Sequence, residues 1–146
     1  MANTRTITAA NSVLLLSVEG LFPVPQRIQG FSADNVTNTD SLASKETLMG
    51  VDGRLSAGWV AVAVPQTITL QADSPSNDFF DALLQAEETA REAYVLTGSL
   101  VLPAIGKKYA MSRGFLTGIN KFPAVGKTLA PRAFNILWER VTPANT

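Results

Sequence analysis

The chain has 146 residues, 46% of them apolar, which is enough for one domain (1–146) around one core. Charged residues make up only 16%, and 12 Lys and Arg balance 12 Asp and Glu, so no basic stripe points to sequence-specific DNA binding. With no cysteine and no histidine, thiolate nucleophiles, disulfides, Cys/His zinc sites, Ser-His-Asp triads and histidine general bases are excluded together.

Residues 1–10 are small and polar and read as an N-terminal arm. Their neighbourhood holds no basic segment followed by a long apolar one, so no signal peptide is expected. Val13 to Leu16 is too short an apolar run to span a membrane. Ser12 to Val18 reads as a first strand, punctuated by Glu19-Gly20, Pro23 and Pro25. Gln26 to Thr37 reads as a second. Asn35-Val36-Thr37 has the form of a glycosylation sequon, a chance match without a secretion signal. Asp34, Asp40 and Asp52 lack the spacing of a calcium loop.

Residues 38–58 (NTDSLASKETLMGVDGRLSAG) are too polar for a core strand. Asp52-Gly53 is a hairpin signal, because a type I′ turn needs positive φ at both central positions. Leu48, Met49, Val51 and Leu55 flank it, so the segment reads as a long loop or hairpin projecting from the domain. Trp59 to Val64 and Thr67 to Ala72 follow as strands. Ile68, Leu70 and Ala72 lie on one face of the second, and Thr67, Thr69 and Gln71 on the other. Trp59 and Trp138 both read as core.

One helix is expected over 74–94. Ser74 can cap it, and Pro75 suits a first helical position that needs no N–H. Asp78 and Asp81 sit where the helix dipole favours negative charge. Phe79, Phe80, Leu83 and Leu84 form its core face, and Glu87 and Glu88 are placed to reach Arg91 one turn on. The acidic residues of this helix read as a solvated face. Three further strands are expected at Tyr94 to Leu102, Lys108 to Thr117 and Ala130 to Val141, then a polar tail over 142–146. The fold class is therefore mainly β: an antiparallel β-sandwich or barrel with one packed α-helix.

Gly126-Lys127-Thr128 matches the end of a phosphate-binding loop, G-x-x-x-x-G-K-[ST]. The first glycine of that pattern would stand at position 121, which is Lys121. Pro123 removes a donor from the supposed cradle, and Pro131 blocks a following helix. The tripeptide reads as a turn into the last strand. No catalytic, cofactor or metal site emerges, and no enzyme is expected.

Two stretches, TLMGVDGRLSAGWVAV and TITLQADSPSNDFFDALL, resemble the bacteriophage tail tube proteins. In that family a strand with a Leu-x-Ala-x-Ser-x-Ser ending runs into the single helix, as Leu70, Ala72, Ser74 and Ser76 do. A Gly-x-Asp-Gly turn lies upstream, as Gly50, Asp52 and Gly53 do. The resemblance covers most of the chain. It implies a β-sandwich protomer that closes into six-fold rings, stacked into a tube through which DNA passes during ejection. It implies the chain itself as first partner, then sheath, baseplate initiator and terminator proteins, with no membrane and no cofactor. The place would be the virion tail, assembled in the host cytoplasm. Leu48, Met49, Val51, Asp52, Gly53 and Leu55 are then the expected contact between rings. The inner tube of a contractile secretion or tailocin apparatus, and a monomeric β-sandwich binding module, are the alternatives.

Overall fold

A computed structural model describes residues 12–29, 37–39 and 41–145. The N-terminal arm, Asp34, Asp40 and the sequon's Asn35 and Val36 lie outside the described residues. Within them the chain forms β1 (Val13–Val18), β2 (Phe22–Ile28), β3 (Thr37–Asn38), β4 (Lys45–Met49), β5 (Leu55–Trp59), β6 (Val64–Leu70), α1 (Asn77–Ala90), β7 (Leu96–Leu102), β8 (Lys107–Ile119) and β9 (Arg132–Asn145). Seven strands make one sheet in the order β2-β1-β7-β8-β9-β6-β3, and β4 with β5 makes a separate hairpin. Every pairing among the described residues is antiparallel. The fold is mainly β, with one packed helix and a projecting hairpin, as the sequence leads one to expect.

Period-two alternation decides which face of the sheet is inside. Leu14, Leu16 and Val18 of β1, Ile68 and Leu70 of β6, and Phe134, Ile136 and Trp138 of β9 are buried in one cluster. Thr67 and Thr69 fall on the opposite face of β6. The helix closes the core with Phe79, Phe80 and Leu83, while Leu84 is half-buried. Phe80 stacks on Phe134 at 4.1 Å, and Phe79 meets Phe22 at 4.9 Å. One helix thus touches strands from opposite halves of the sheet. Each such buried side chain contributes ~1.5–3 kcal/mol.

Strands near the sheet's two ends are also tied together by polar bonds. The hydroxyl of Ser74, just after β6, donates to the carbonyl of Gln29, just after β2. The Gln29 N–H donates to Ser76 Oγ at 2.8 Å. To bring its ends together, an open sheet must bend. The pairing of β8 is irregular opposite Leu96 to Gly98 and again at Leu116 to Gly118. Bulges of this kind kink a strand and add twist. At the first, Arg113 sits at φ 49, an uncommon conformation for a side-chain-bearing residue. Next to it Gly114 faces Trp138 so closely that a Cβ would lie 2.3 Å from the indole.

Several boundaries differ from the sequence reading, each for a physical reason. The second strand is Phe22–Ile28, with Pro23 and Pro25 inside it. Prolines are tolerated there because among the described residues β2 is an edge strand, with β1 on one side only. The helix is Asn77–Ala90, with Ser76 at the N-cap position. Ser74 and Pro75 stand in the preceding turn, where the Ser74 hydroxyl accepts the Ser76 N–H and serves Gln29. At the other end Arg91 turns left-handed, at φ 55, and its N–H bonds Glu87 O. That takes Arg91 off the helix, and Glu88 pairs instead with Lys121 at 3.0 Å. Residues 60–63 form no strand. Residues 142–145 belong to β9, because β8 extends far enough to pair Lys107 with Asn145.

Candidate functional site

The β4–β5 hairpin is the feature the fold does not absorb. Its register pairs Met49 with Leu55, Thr47 with Ala57 and Lys45 with Trp59. Directly paired residues share a face, so Met49, Leu55, Ala57 and Trp59 line up along one side. Glu46, Leu48, Ser56 and Gly58 take the other. Every residue of both strands is exposed, with Leu48 at 75%, Trp59 at 74% and Val51 at the tip fully open. Trp59 is therefore not core. The β5 period puts it with Met49 and Leu55 on a hairpin that leaves the body.

The tip follows a different turn from the one Asp52-Gly53 suggests. Gly53 alone has positive φ, at 86. Its N–H bonds Gly50 O at 3.0 Å, and Gly50 N–H bonds Arg54 O at 2.8 Å. That is a three-residue loop with a left-handed glycine at its end. Asp52 accepts the Arg54 N–H at 3.1 Å, which holds the turn. The six residues expected to make contacts, Leu48, Met49, Val51, Asp52, Gly53 and Leu55, all stand on this one device.

A second apolar surface escaped the sequence reading. The β8–β9 loop exposes Phe122 at 76%, Val125 at 80% and Leu129 at 54%. Val125 and Leu129 form a bridge, and Ala130 N–H bonds Ala124 O at 3.0 Å. Gly126-Lys127-Thr128 is the tip of that bridge, a turn ahead of β9. The loop's base is clamped by Arg132, only 4% exposed. Its guanidinium bonds Asn120 O and Lys121 O and makes a two-pronged pair with Asp81 at 2.8 and 3.2 Å. The signal was present in the sequence: Phe, Val and Leu around a Gly-Lys turn, with no alternation to put them inside.

Other features offer little chemistry. An open cleft of about 410 Å³ is lined by Val64, Gln66, Leu100, Tyr109, Trp138 and Val141 among others. Its polar groups satisfy one another: Trp138 Nε1–H donates to Gln66 Oε1 at 2.8 Å, and Gln66 Nε2–H to Thr37 Oγ1 at 2.7 Å. Tyr109 is its single ionisable lining residue. Partial burial pushes the Glu87 carboxyl above its ordinary range, opposed by a hydrogen bond from the Tyr94 backbone. Among the described residues no His, Cys, Asp and Glu side chains gather to hold a metal, and no helix is long and apolar enough to cross a membrane.

Comparison with known proteins places this architecture. A chain of the anti-feeding prophage tube-terminating cap is 15% identical with a TM-score of 0.59, over 100% of this chain and 95% of that one. A chain of the PVC sheath–tube complex, an extracellular contractile injection system in its extended state, is 16% identical with a TM-score of 0.58, over the whole of both chains. One from the PVC sheath/tube terminator is 14% identical with a TM-score of 0.60, over 95% and 96%. At these identities the likeness is one of fold. No curated protein sequence matches the chain. The family described as tail fiber protein gp32 matches residues 5–142, nearly the full length. A phage-tail-like structural role follows, at a coarser level than the major tube protein that the sequence resembles. The chain belongs to the tail fiber protein gp32 family.

Proposed function

We propose that this chain is a self-assembling subunit of a phage-tail-like tube, closing into rings, six-fold by the tube-protein resemblance, that stack through the β4–β5 hairpin. The observation that carries this reading is the hairpin itself. A two-stranded ribbon with no packed face is marginal alone in water. This one presents Leu48, Met49, Val51, Leu55 and Trp59 to solvent. A patch of that kind marks an interaction surface.

Ring closure finds support at the sheet's borders. Among the described residues β3 pairs β6 only at Ile68 and Thr67, and Glu139–Asn145 of β9 have β8 on one side alone. Strand stretches open on one side are templates for a neighbour. The opposite border, β2, carries Pro23 and Pro25, which lack N–H donors. A zero net charge suits both self-association and a bore that lets DNA pass without holding its phosphates. Sheath, initiator and terminator proteins would meet the tube's outer wall and ends. The particle would be a phage tail or a related contractile apparatus, and the chain would act without catalysis or cofactor.

Deleting residues 40–56 tests the reading. The variant is expected to keep its fold, seen by circular dichroism, and to lose polymerisation, seen by electron microscopy. Unchanged tubes would overturn it. A second reading, a terminator that caps a tube with one ring, draws on two of the solved relatives being terminating parts. Images of the purified chain separate the two: extended tubes for the subunit, single rings for the cap.

A further inference from the structure

We infer that the hairpin of one copy docks on the β8–β9 loop of a second copy, so that the chain stacks head to tail through two unlike surfaces. This rests on the stacking reading above and names the receiving surface. Register puts the two features at opposite ends of the same strand pair. In the β6–β9 ladder Val64 lies beside Trp138, and Leu70 beside Arg132. The hairpin enters β6 at its Val64 end, and the loop enters β9 at its Arg132 end. Six residue steps of strand separate them, roughly 20 Å. Copies related by a shift along this axis would bring each hairpin to the next copy's loop, a heterologous contact that propagates.

Charge suits this pairing. The loop between Phe122 and Pro131 carries one charge, Lys127, at its tip. The turn from Gly50 to Gly53 carries one charge, Asp52, with Arg54 next to it in the chain. A loop on a loop would bring two Lys127 ammonium groups together, and a hairpin on a hairpin would close a two-fold pair rather than propagate a stack. Hairpin on loop joins Asp52 to Lys127 within apolar surroundings, and such complementarity helps to fix register. The receiving surface is also held in shape before contact. The Val125–Leu129 bridge and the Arg132 clamp fix Phe122, Val125 and Leu129 in place, which lowers the ordering cost of docking.

The chain's lack of cysteine gives a clean test. Val51→Cys and Val125→Cys are made singly and together, and assembled material is treated with a short bismaleimide. The double variant is expected to give a ladder of covalent multimers on a denaturing gel, and neither single variant should. Dimers from Val51→Cys alone, or no ladder from the double variant, would overturn the inference. Charge exchange adds an independent readout. Asp52→Lys and Lys127→Glu should each abolish assembly, and their combination should restore it. If Asp52→Lys abolishes assembly while Lys127→Glu leaves it intact, the hairpin keeps its role and the loop is not its partner. If both single exchanges assemble normally and the 40–56 deletion does too, the stacking reading itself is lost.

Discussion

The strands β9 and β5 are built on the same period and meet opposite fates. In β9, Phe134, Ile136 and Trp138 point inward and are sealed. In β5, Leu55, Ala57 and Trp59 share a face in the same way, and that face meets only solvent. What differs is the neighbour. The β9 face has α1 above it, with Phe80 stacked on Phe134. The β5 face has no helix or second sheet over it among the described residues. A strand's alternation specifies a buried face without saying which molecule buries it.

The two tryptophans break or sharpen that comparison most strongly. Trp138→Ala should destabilise the isolated chain by about 3–5 kcal/mol, from lost burial and the cavity left behind. It also leaves Gln66 Oε1 without its donor. Trp59→Ala should change stability by less than about 0.5 kcal/mol, as exposed substitutions do. Urea midpoints of both variants check this. Equal losses would mean that the hairpin packs on its own body.

Gly114→Ala comes next. A methyl group there would lie 2.3 Å from the Trp138 ring, which is buried and hydrogen-bonded on its far side. Overpacking of this sort costs about 1–3 kcal/mol. Thermal melts measure it, and a neutral result would show that the indole can move aside. The bend in β8 would then be less tightly packed than the geometry implies.

These residues also mark how far the sequence could be read. Ile68 and Leu70, the Phe79-Phe80-Leu83 face and Trp138 were legible, because each stands in a local period that one buried side satisfies. The Trp59 environment was not, since period two looks alike on a packed strand and on a projecting one. Pro23 and Pro25 read as punctuation because proline seldom enters a ladder, and only the sheet order reveals an edge. Ser74 read as a cap because its chemistry fits one. Its hydroxyl goes instead to Gln29, 45 positions away, a partner that no local pattern contains. The Phe122, Val125 and Leu129 surface is not legible, because in a loop no period tells an exposed apolar residue from a buried one.

On the hairpin, Leu48→Ser, Val51→Ser and Leu55→Ser combined should leave the urea midpoint within about 0.5 kcal/mol of the parent, as substitutions at exposed sites do. Sedimentation should show the assembled fraction collapsing. Burying those three side chains on a partner is worth about 1.5–3 kcal/mol each. A variant that both unfolds and disperses would put the three residues in the body's core and undo the contrast with β9.

The smallest effect lies on the helix, at the margin between the two regimes. Glu87 is half-buried near the end of α1, and its expected partner Arg91 has left the helix. Desolvation raises its pKa above the ordinary 4.5, against the pull of the Tyr94 N–H. A carboxyl raised in the folded state favours folding while protonated. That contribution is full below the unfolded value and is lost as pH rises through the folded one. At neutral pH the ionised group therefore weighs slightly against the fold. Glu87→Gln removes the charge and should raise the urea midpoint a little at pH 7, with the gap to the parent closing by pH 4. A parent that instead gains on the variant between pH 4 and 7 would mean that the Tyr94 hydrogen bond outweighs desolvation, and that this stretch of helix is solvated like the hairpin rather than sealed like β9.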